Sequence, residues 1–273
     1  MAGVDRQAVA LIPARLGSTR FPRKALASET GKPLVVHVCE RAAAAGSVGR
    51  VAVATDAEEI AEAVRSAGFE AVMTGEHANG TSRLAEAAER LELDPRQIIV
   101  NVQGDEPEIE PGIIDAAIEG LRWRDASPVP GRRVGSDGSI RIEVFASTVA
   151  SPFQAGEDAR DPNIVKALPG LLEADRGIGM ALYFSRALVP HAMADPALAR
   201  PLKHVGIYAY QRKRLEHYVS LPPTPLEQTE RLEQLRWLEH GLPMALVVRH
   251  AAHTGIDTPE QYEAFVRRFG GAG

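Results

Sequence analysis

Cysteine is almost absent from this sequence. The chain of 273 residues contains one, Cys39, which excludes a disulfide scaffold and a cysteine-rich zinc module. Cys39 lies in an apolar segment that predicts a helix, so we expect a buried thiol that packs as a small hydrophobic side chain. His250 and His253 have no partners at the spacing of metal ligands, and we expect both to be structural.

The chain also lacks long apolar runs and an excess of basic residues. No run of about 18 apolar residues occurs, so the sequence predicts no membrane span. The 31 Lys and Arg residues against 36 Asp and Glu give a net charge of −5, which argues against broad nucleic-acid binding. An anionic small substrate stays compatible with this charge, because basic residues can cluster locally. The first residues, Met-Ala-Gly-Val-Asp-Arg, contain no apolar signal core, and we expect a cytoplasmic protein.

Apolar runs typical of strands alternate with helical patterns in the first part of the chain. Strands are expected at residues 8–12, 51–54, 69–73 and 98–102, and helices at 33–45, 56–68 and 84–91. Asp56 and Glu59 resemble a capping box at the start of the second helix. This alternation predicts a parallel sheet covered by helices on both faces.

The middle of the chain has a different pattern. Residues 126–140 are rich in Gly, Pro, Ser and Arg and predict a surface loop. Strand-like runs then lie close together at 143–149, 164–168, 180–184 and 204–210, followed by a helix at 226–240, a strand at 244–249 and a last helix from Pro259. We therefore predict one α/β domain, residues 1–273, in which residues 140–210 include a smaller inserted lobe of mixed strands.

A basic segment follows the first predicted strand. Residues 13–24 read Pro-Ala-Arg-Leu-Gly-Ser-Thr-Arg-Phe-Pro-Arg-Lys. Ligands of open α/β sheets bind at the carboxyl ends of the strands, and Arg and Lys side chains are suited to phosphate oxygens. A solvated basic loop is the alternative, but four cations within residues 15–24 of an acidic chain favour a triphosphate site. Neither the Walker A pattern nor Gly-x-Gly-x-x-Gly occurs.

Two acidic motifs are candidates for a magnesium site. Asp105 lies in Asn-Val-Gln-Gly-Asp-Glu-Pro, residues 101–107, after a predicted strand, and Asp257 precedes a predicted helix start. Magnesium is commonly held by one or two carboxylates together with substrate phosphates. Each motif alone fits a turn or a helix cap equally well. The metal hypothesis therefore requires that the two carboxylates converge in the folded chain.

Two polar segments are further candidates. Residues 76–83, Glu-His-Ala-Asn-Gly-Thr-Ser-Arg, form a polar turn before a helix, and the amides there with Arg83 are able to contact a base or a ribose. Glu227, Glu230 and Gln234 share a stripe of the predicted helix at 226–240. A solvated helix face is the commoner explanation of such a stripe, and the wall of a polar pocket is the other.

The string Ile12-Pro-Ala-Arg-Leu-Gly-Ser-Thr-Arg-Phe-Pro-x-Lys24 resembles the opening of the 3-deoxy-manno-octulosonate (KDO) cytidylyltransferases, also called CMP-KDO synthetases. The resemblance extends through nearly the whole chain. Its motifs are Val53-Ala-Thr-Asp56, Gly80-Thr81, Val100-Asn-Val-Gln-Gly-Asp-Glu-Pro107, Ala181-Leu-Tyr-Phe-Ser-Arg186, His204-Val-Gly-Ile-Tyr208, Pro225-Leu-Glu227, Leu232-Glu-Gln-Leu-Arg236 and Gly255-Ile-Asp-Thr-Pro259. They occur in the order that the family has.

The resemblance implies a fold and an activity. The fold is the Rossmann-like nucleotide-diphospho-sugar transferase fold, a mixed and mostly parallel sheet with helices on both faces and an inserted mixed-strand lobe. The activity is Mg²⁺-dependent transfer of CMP from CTP to the anomeric hydroxyl of KDO, giving CMP-KDO and pyrophosphate for lipopolysaccharide biosynthesis. The resemblance also implies a homodimer formed largely through the lobe, and no nucleic-acid or membrane partner. A cytidylyltransferase for another sugar acid or a phosphonate, and a non-catalytic nucleotide-binding module, are the alternatives.

The resemblance assigns roles to residues of this chain. It implies a nucleotide site made of Pro13, Ala14, Arg15, Arg20, Lys24, Asn79, Gly80, Thr81, Arg83 and Gln103. It implies Asp105 and Asp257 as magnesium ligands, and Arg15, Lys24 and Asp105 as catalytic residues. For the sugar acid it implies Arg186, His204, Tyr208, Glu227, Glu230 and Gln234.

Two positions depart from the family pattern. The family usually reads Pro-Gly-Lys where this chain has Pro22-Arg23-Lys24, which adds a cation near the expected phosphate site. It usually reads Ser-Gly-Thr-Asp/Glu-Arg where this chain has Asn79-Gly-Thr-Ser82-Arg83, which removes an acidic residue from the nucleotide loop.

Overall fold

The computed structural model describes residues 7–17, 20–123, 143–170, 172–193, 195 and 200–270. The chain divides into two compact units. The described residues of 1–115, 211–219 and 252–273 form the first unit, and those of 116–210 and 220–251 form the second. The lobe expected at 140–210 falls within the second unit, and the organisation of the chain as one domain stays a prediction.

Four strands form the sheet of the first unit. They are β1 (Ala8–Ala14), β2 (Val48–Thr55), β3 (Glu70–Met73) and β4 (Ile98–Asn101). Their order is β3-β2-β1-β4, and every pair is parallel. The interior of β1 is fully buried, as expected for a parallel strand that is covered on both faces. Because the strands are parallel, the segments that follow β1 and β4 leave the sheet at the same edge.

The described α-helices are distributed over both units. They are α1 (Leu34–Ala43), α2 (Glu58–Ser66), α3 (Gly80–Arg90), α4 (Pro111–Arg122), α5 (Arg212–Ser220), α6 (Pro225–Glu230), α7 (Gln234–Glu239) and α8 (Pro259–Gly270). A short 3-10 helix spans Lys24–Leu26. Cys39 is buried within α1, as predicted. No described helix has the length and apolar character needed to cross a membrane.

Five strands form the sheet of the second unit. They are β5 (Ala146–Pro152), β6 (Lys166–Pro169), β7 (Ile178–Ser185), β8 (Leu202–Gln211) and β9 (Met244–Val248). Their order is β8-β5-β9-β7-β6, and β6 also pairs with β8. Among the described residues β5 and β9 pair in parallel and the other pairs are antiparallel. The α/β class and the mixed strands are thus confirmed, with the parallel strands concentrated in the first unit.

Two local predictions are wrong. The segment expected to be one helix at 226–240 contains α6 and α7, separated at Arg231, whose backbone adopts a left-handed conformation with φ 52°. Such a residue ends a helix. Asp56 does not cap α2, because that helix begins after Ala57 and the Asp56 carboxylate accepts a hydrogen bond from Arg83 at 2.7 Å.

Two helices were not anticipated from the sequence, α4 and α5. The predicted loop at 126–140 lies outside the described residues.

An apolar cluster in the first unit joins the basic segment to the C-terminal helix. Leu34, Ile256, Tyr262 and Phe265 are buried together, and Phe21 packs against them. The ring centroids of Phe21 and Tyr262 are 5.4 Å apart. The cluster therefore fixes the residues on either side of Lys24 and the residue before Asp257 in one packed group.

The structure predicts a steric requirement at Gly104. A Cβ atom there would lie 2.6 Å from the carbonyl oxygen of Pro13, and backbone cannot move aside as a flexible side chain can. We expect Gly104→Ala to lower the free energy of unfolding by about 1–3 kcal/mol in urea denaturation.

Gly112→Ala is the matched control, because a Cβ atom there meets nothing within 4 Å. That substitution lies in α4 and should be neutral or stabilising by up to about 1 kcal/mol. If Gly104→Ala and Gly112→Ala have equal free energies of unfolding, position 104 does not require glycine.

Candidate active site

A cleft of about 370 Å³ lies in the first unit, beside the ends of β1 and β4. It is lined by Pro13, Ala14, Arg15, Gly17, Arg20, Lys24, Ala25, His77, Asn79, Gly80, Arg83, Gln103, Gly104, Asp105 and Asp257. Of the residues assigned to the nucleotide and the metal, Thr81 is outside this lining and the others are in it. The sequence analysis did not single out His77, although it stands in the polar turn before Asn79.

Lys24 lies at the centre of the charged groups of the cleft. Its ammonium group donates to Asp105 Oδ2 at 3.0 Å, to Asp257 Oδ1 at 3.3 Å and to the carbonyl oxygen of Ile256 at 2.6 Å. The Lys24 side chain is 14% exposed, so these ion pairs are partly shielded from water. The two carboxylates that the metal hypothesis required to converge do converge, on one cation.

The arginines of the cleft differ in their partners. Arg20 pairs with Asp257 Oδ2 at 3.0 Å and is largely exposed. Arg83 is buried, and donates to Thr74 Oγ1 at 2.8 Å as well as to Asp56. Arg15 is exposed and has no hydrogen-bond or ion-pair partner within the described ranges. Arg15 is therefore the cation most available to an anionic ligand.

The loop before α3 is held by its own side chains. Asn79 Oδ1 accepts a hydrogen bond from the Ser82 backbone N–H at 2.9 Å and caps the helix. His77 lies between Ser82 Oγ, 3.2 Å from Nδ1, and Glu86, 2.5 Å from Nε2. The hydrogen bond with His77 is the main cause that lowers the pKa of Glu86 to about 2. An ionised Glu86 thus fixes the imidazole that lines the cleft.

Comparisons with known proteins identify the family of this chain. The family model for cytidylyltransferases matches residues 9–246. Relatives named 3-deoxy-manno-octulosonate cytidylyltransferase include one from Syntrophobacter fumaroxidans, 44% identical over 94% of this chain and 95% of the relative. Another, from Azorhizobium caulinodans, is 45% identical over 96% of both chains. This chain belongs to the 3-deoxy-manno-octulosonate cytidylyltransferase family.

Solved structures support the same assignment. A CMP:2-keto-3-deoxy-manno-octonic acid synthetase complexed with CTP is 36% identical, superposes with a TM-score of 0.81, and is covered over 99% of its length by 97% of this chain. A 4-diphosphocytidyl-2C-methyl-D-erythritol synthase, 12% identical with a TM-score of 0.59 over 97% of this chain and 99% of its own, shows the shared fold alone.

The residues that the family resemblance assigns to the sugar acid all lie in the second unit of this cytidylyltransferase. Lys166 of β6 pairs with Ser185 on β7 and with Lys203 on β8. His204 is the next residue of β8, and Arg186 directly follows the end of β7. Both therefore come one position after a residue that pairs with Lys166.

Arg186 and Glu230 contact each other through backbone groups. The Arg186 guanidinium donates to the carbonyl oxygens of Glu230 at 2.7 Å and Pro162 at 2.9 Å. The Glu230 carboxylate accepts hydrogen bonds from the Arg186 backbone N–H at 2.9 Å and from Ser185 Oγ at 2.8 Å. These contacts orient both side chains, and they also give Arg186 a structural role.

Glu227 and Gln234 do not share the stripe that was predicted, because they lie on the separate helices α6 and α7. Glu227 is buried, and accepts a hydrogen bond from Arg236 Nε at 2.7 Å and one from the Thr224 backbone N–H at 3.2 Å. It therefore stabilises the start of α6. Gln234 is buried as well.

His204 is an uncharged side chain at neutral pH. Burial lowers its pKa to about 3, and its Nε2 lies 2.8 Å from Thr148 Oγ1. The ring centroids of His204 and Tyr208 are 5.5 Å apart. A neutral imidazole is able to donate a hydrogen bond to a carboxylate but adds no positive charge.

Arg23 does not add a cation to the cleft. Its guanidinium pairs with Glu59, and Arg23 is outside the lining. Its backbone is left-handed, with φ 58° and ψ 21°, a conformation that glycine adopts without steric cost. This explains why the family's usual glycine fits position 23.

We expect Arg23→Gly to be more stable than Arg23→Ala by about 1 kcal/mol, since a Cβ atom in the left-handed region costs about 1–2 kcal/mol and glycine loses part of that gain to chain entropy. Both substitutions remove the exposed ion pair with Glu59, so the comparison isolates the backbone. Thermal denaturation measures the difference, and an Ala variant as stable as the Gly variant would contradict the strain.

Proposed function

We propose that this protein transfers CMP from CTP to the anomeric hydroxyl of KDO, releasing pyrophosphate, as a step of lipopolysaccharide biosynthesis in the cytoplasm. The observation that carries the proposal is the convergence of Lys24, Asp105 and Asp257 in the cleft, in a chain that belongs to the KDO cytidylyltransferase family. The hydroxyl oxygen attacks the α-phosphorus of CTP, and the bond from that phosphorus to the β-phosphate oxygen breaks.

The cations of the cleft would bind and orient the triphosphate. Arg15 is exposed toward the cleft and Arg20 reaches it from the same segment. Lys24, which lies in the same cleft, would offset the charge that grows on pyrophosphate as it leaves. Positioning and charge neutralisation of this kind account for most of the catalysis in phosphoryl-type transfers. The amides of residues 79–81, with Gln103, would contact the cytidine.

The donor groups fit a magnesium ion. Asp105 and Asp257 both approach a single position, now held by the Lys24 ammonium, and two carboxylates with substrate phosphates are a set that magnesium favours. The described residues contain no group of three or more His, Cys, Asp or Glu arranged to hold a metal, so substrate oxygens would complete the ligand set. Magnesium bound there would neutralise phosphate charge and make the sugar hydroxyl more acidic.

The second unit would bind the sugar acid. Arg186 supplies the charge for the carboxylate, and the neutral His204 supplies one hydrogen bond. Tyr208, Glu230 and Gln234 would contact the sugar hydroxyls. Glu227, which is paired with Arg236, would act by holding α6 in place.

A homodimer formed through the second unit is part of this proposal. Leu182 is 59% exposed on β7, and Met193 is 88% exposed. A second copy of the chain that covered these two side chains would remove apolar surface from water.

The deciding experiment is pyrophosphate release from CTP with KDO and Mg²⁺, beside a panel of other sugar acids and a phosphonate. We expect release with KDO and a much lower rate with the others. Asp105→Asn should abolish magnesium-dependent turnover, because it removes the charge while keeping the shape of the side chain.

Glu108→Gln is the control, since Glu108 pairs with Arg268 and is outside the cleft lining; it should turn over at the wild-type rate. CTP binding without release would favour a non-catalytic module. A folded Asp105→Asn enzyme with near-normal turnover would overturn the metal assignment.

Arg186→Ala separates the two substrates. Loss of a charge-assisted hydrogen bond, about 1.5–3 kcal/mol, should raise the Michaelis constant for KDO roughly 10- to 150-fold, while CTP affinity by calorimetric titration stays unchanged.

The contacts of Arg186 with backbone carbonyls supply the competing outcome. If the side chain is only structural, the variant melts earlier and binds both substrates more weakly in parallel. Arg176→Ala is the control, because it removes a partly exposed arginine of the same unit that pairs with Glu119.

A further inference from the structure

A buried histidine connects the segments that carry Asp105 and Asp257. His253 precedes Asp257 by four residues, and its side chain is 3% exposed. Its Nδ1 contacts the Glu110 carboxylate, and its Nε2 lies 3.5 Å from Glu106 Oε2. Both acids belong to the stretch between β4 and α4 that also carries Asp105. The imidazole therefore joins two parts of the first unit that are distant in sequence.

The carboxylates of Glu106 and Glu110 need the positive charge or the hydrogen bonds that the His253 imidazole is able to supply. Glu106 is 9% exposed, and its Oε2 accepts no hydrogen bond in the part of the chain that the structure describes. A buried carboxylate is costly unless a positive charge faces it. Burial acts to lower the pKa of His253, but the neighbouring carboxylates of Glu106 and Glu110 outweigh it and raise the pKa. A carboxylate lies beside each ring nitrogen, so the geometry suits a protonated imidazole, which would compensate both acids.

Backbone N–H groups of residues 252 and 256 also bond to the stretch that carries Asp105. The Ala252 N–H donates to Glu110 Oε1 at 2.9 Å, and the Ile256 N–H donates to the carbonyl oxygen of Asp105 at 2.8 Å. Lys24 then holds the carbonyl oxygen of Ile256 and the carboxylate of Asp257. The segment 252–257 is therefore attached at two ends, by His253 at one and by Lys24 at the other.

We propose that His253 is a positioning residue that holds Asp257 opposite Asp105. It acts through Glu106 and Glu110, and it is outside the lining of the cleft, so it makes no contact with nucleotide there. Without it, the segment would keep the Lys24 contacts, the Ile256 N–H bond to Asp105 and the packing of Ile256. It would lose the side-chain contacts with Glu106 and Glu110, and Lys24 is the group that must also serve the phosphates. The inference rests on the proposed function, in which the two carboxylates hold the metal and the triphosphate.

The test compares His253→Leu, which removes both contacts, with His253→Gln, which keeps an amide able to bond one acid. The rate of hydrogen–deuterium exchange at the Ile256 amide reports whether its hydrogen bond to the Asp105 carbonyl oxygen is kept, and it is measured without any substrate. We expect faster exchange at Ile256 in the Leu variant, a smaller increase in the Gln variant, and no change in the core amides of β1 and β4.

Metal affinity gives a second readout. Mn²⁺ binding in the presence of CTP, measured by electron paramagnetic resonance, should weaken about 10- to 100-fold in the Leu variant, the usual cost of losing a group that orients a metal ligand. The rate constant kcat should fall in parallel while the Michaelis constant for CTP changes little. The Gln variant should recover part of both losses. His250→Leu is the control, because His250 is exposed in the preceding segment.

The possible results distinguish failure of the positioning role of His253 from failure of the proposed CMP transfer. Wild-type Ile256 exchange and Mn²⁺ affinity in both His253 variants would overturn the positioning role. Parallel acceleration at Ile256 and in the core of β1 and β4 would overturn it too, since that is a general loss of stability. A wild-type enzyme that releases no pyrophosphate would overturn the proposed function, while the exchange result would still decide whether His253 positions the segment.

Discussion

The ammonium group of Lys24 is the constraint on which the first unit depends. It stands 81 residues from Asp105 and 233 residues from Asp257 along the chain, and it brings both carboxylates to one point. Two carboxylates that are both close to one point would repel each other without a cation between them. The parallel sheet places the segment after β4, which carries Asp105, at the same edge as the segment after β1. The close approach of Gly104 to the Pro13 carbonyl oxygen fixes how near these two segments lie. The apolar cluster that contains Ile256 fixes the residue before Asp257.

The two units use charge in different ways. In the first unit, cations face carboxylates, and a phosphate-bearing ligand would have to exchange places with some of these partners. In the second unit, the Arg186 guanidinium donates to backbone carbonyls and His204 is neutral. Recognition of a sugar acid there would therefore rely on one fixed positive charge and a set of oriented hydrogen-bond donors and acceptors.

Local patterns made much of the fold predictable. The four strands of the first unit were evident because a buried parallel strand is a short apolar run with clear ends. The break between α6 and α7 was not evident, because Leu232, Leu235 and Leu238 keep helical spacing directly after the left-handed Arg231. Asp56 had the spacing of a capping residue, but Arg83, 27 residues later, takes its carboxylate. The role of His253 depends on Glu106 and on Glu110, which is 143 residues away, and no spacing rule detects such contacts.

The first unit is discontinuous, and this has a consequence for biosynthesis. The basic segment and Asp105 leave the ribosome early, whereas the stretch from 252 onward, which carries Ile256 and Asp257, follows only after the whole second unit. Chains fold as they emerge, N-terminal parts first, so the nascent first unit would hold Lys24 beside Asp105 alone until residue 257 has left the ribosome. The stretch from residue 252 onward then packs against the rest of the first unit, and Asp257 joins Lys24 and Asp105 in the cleft only at that step.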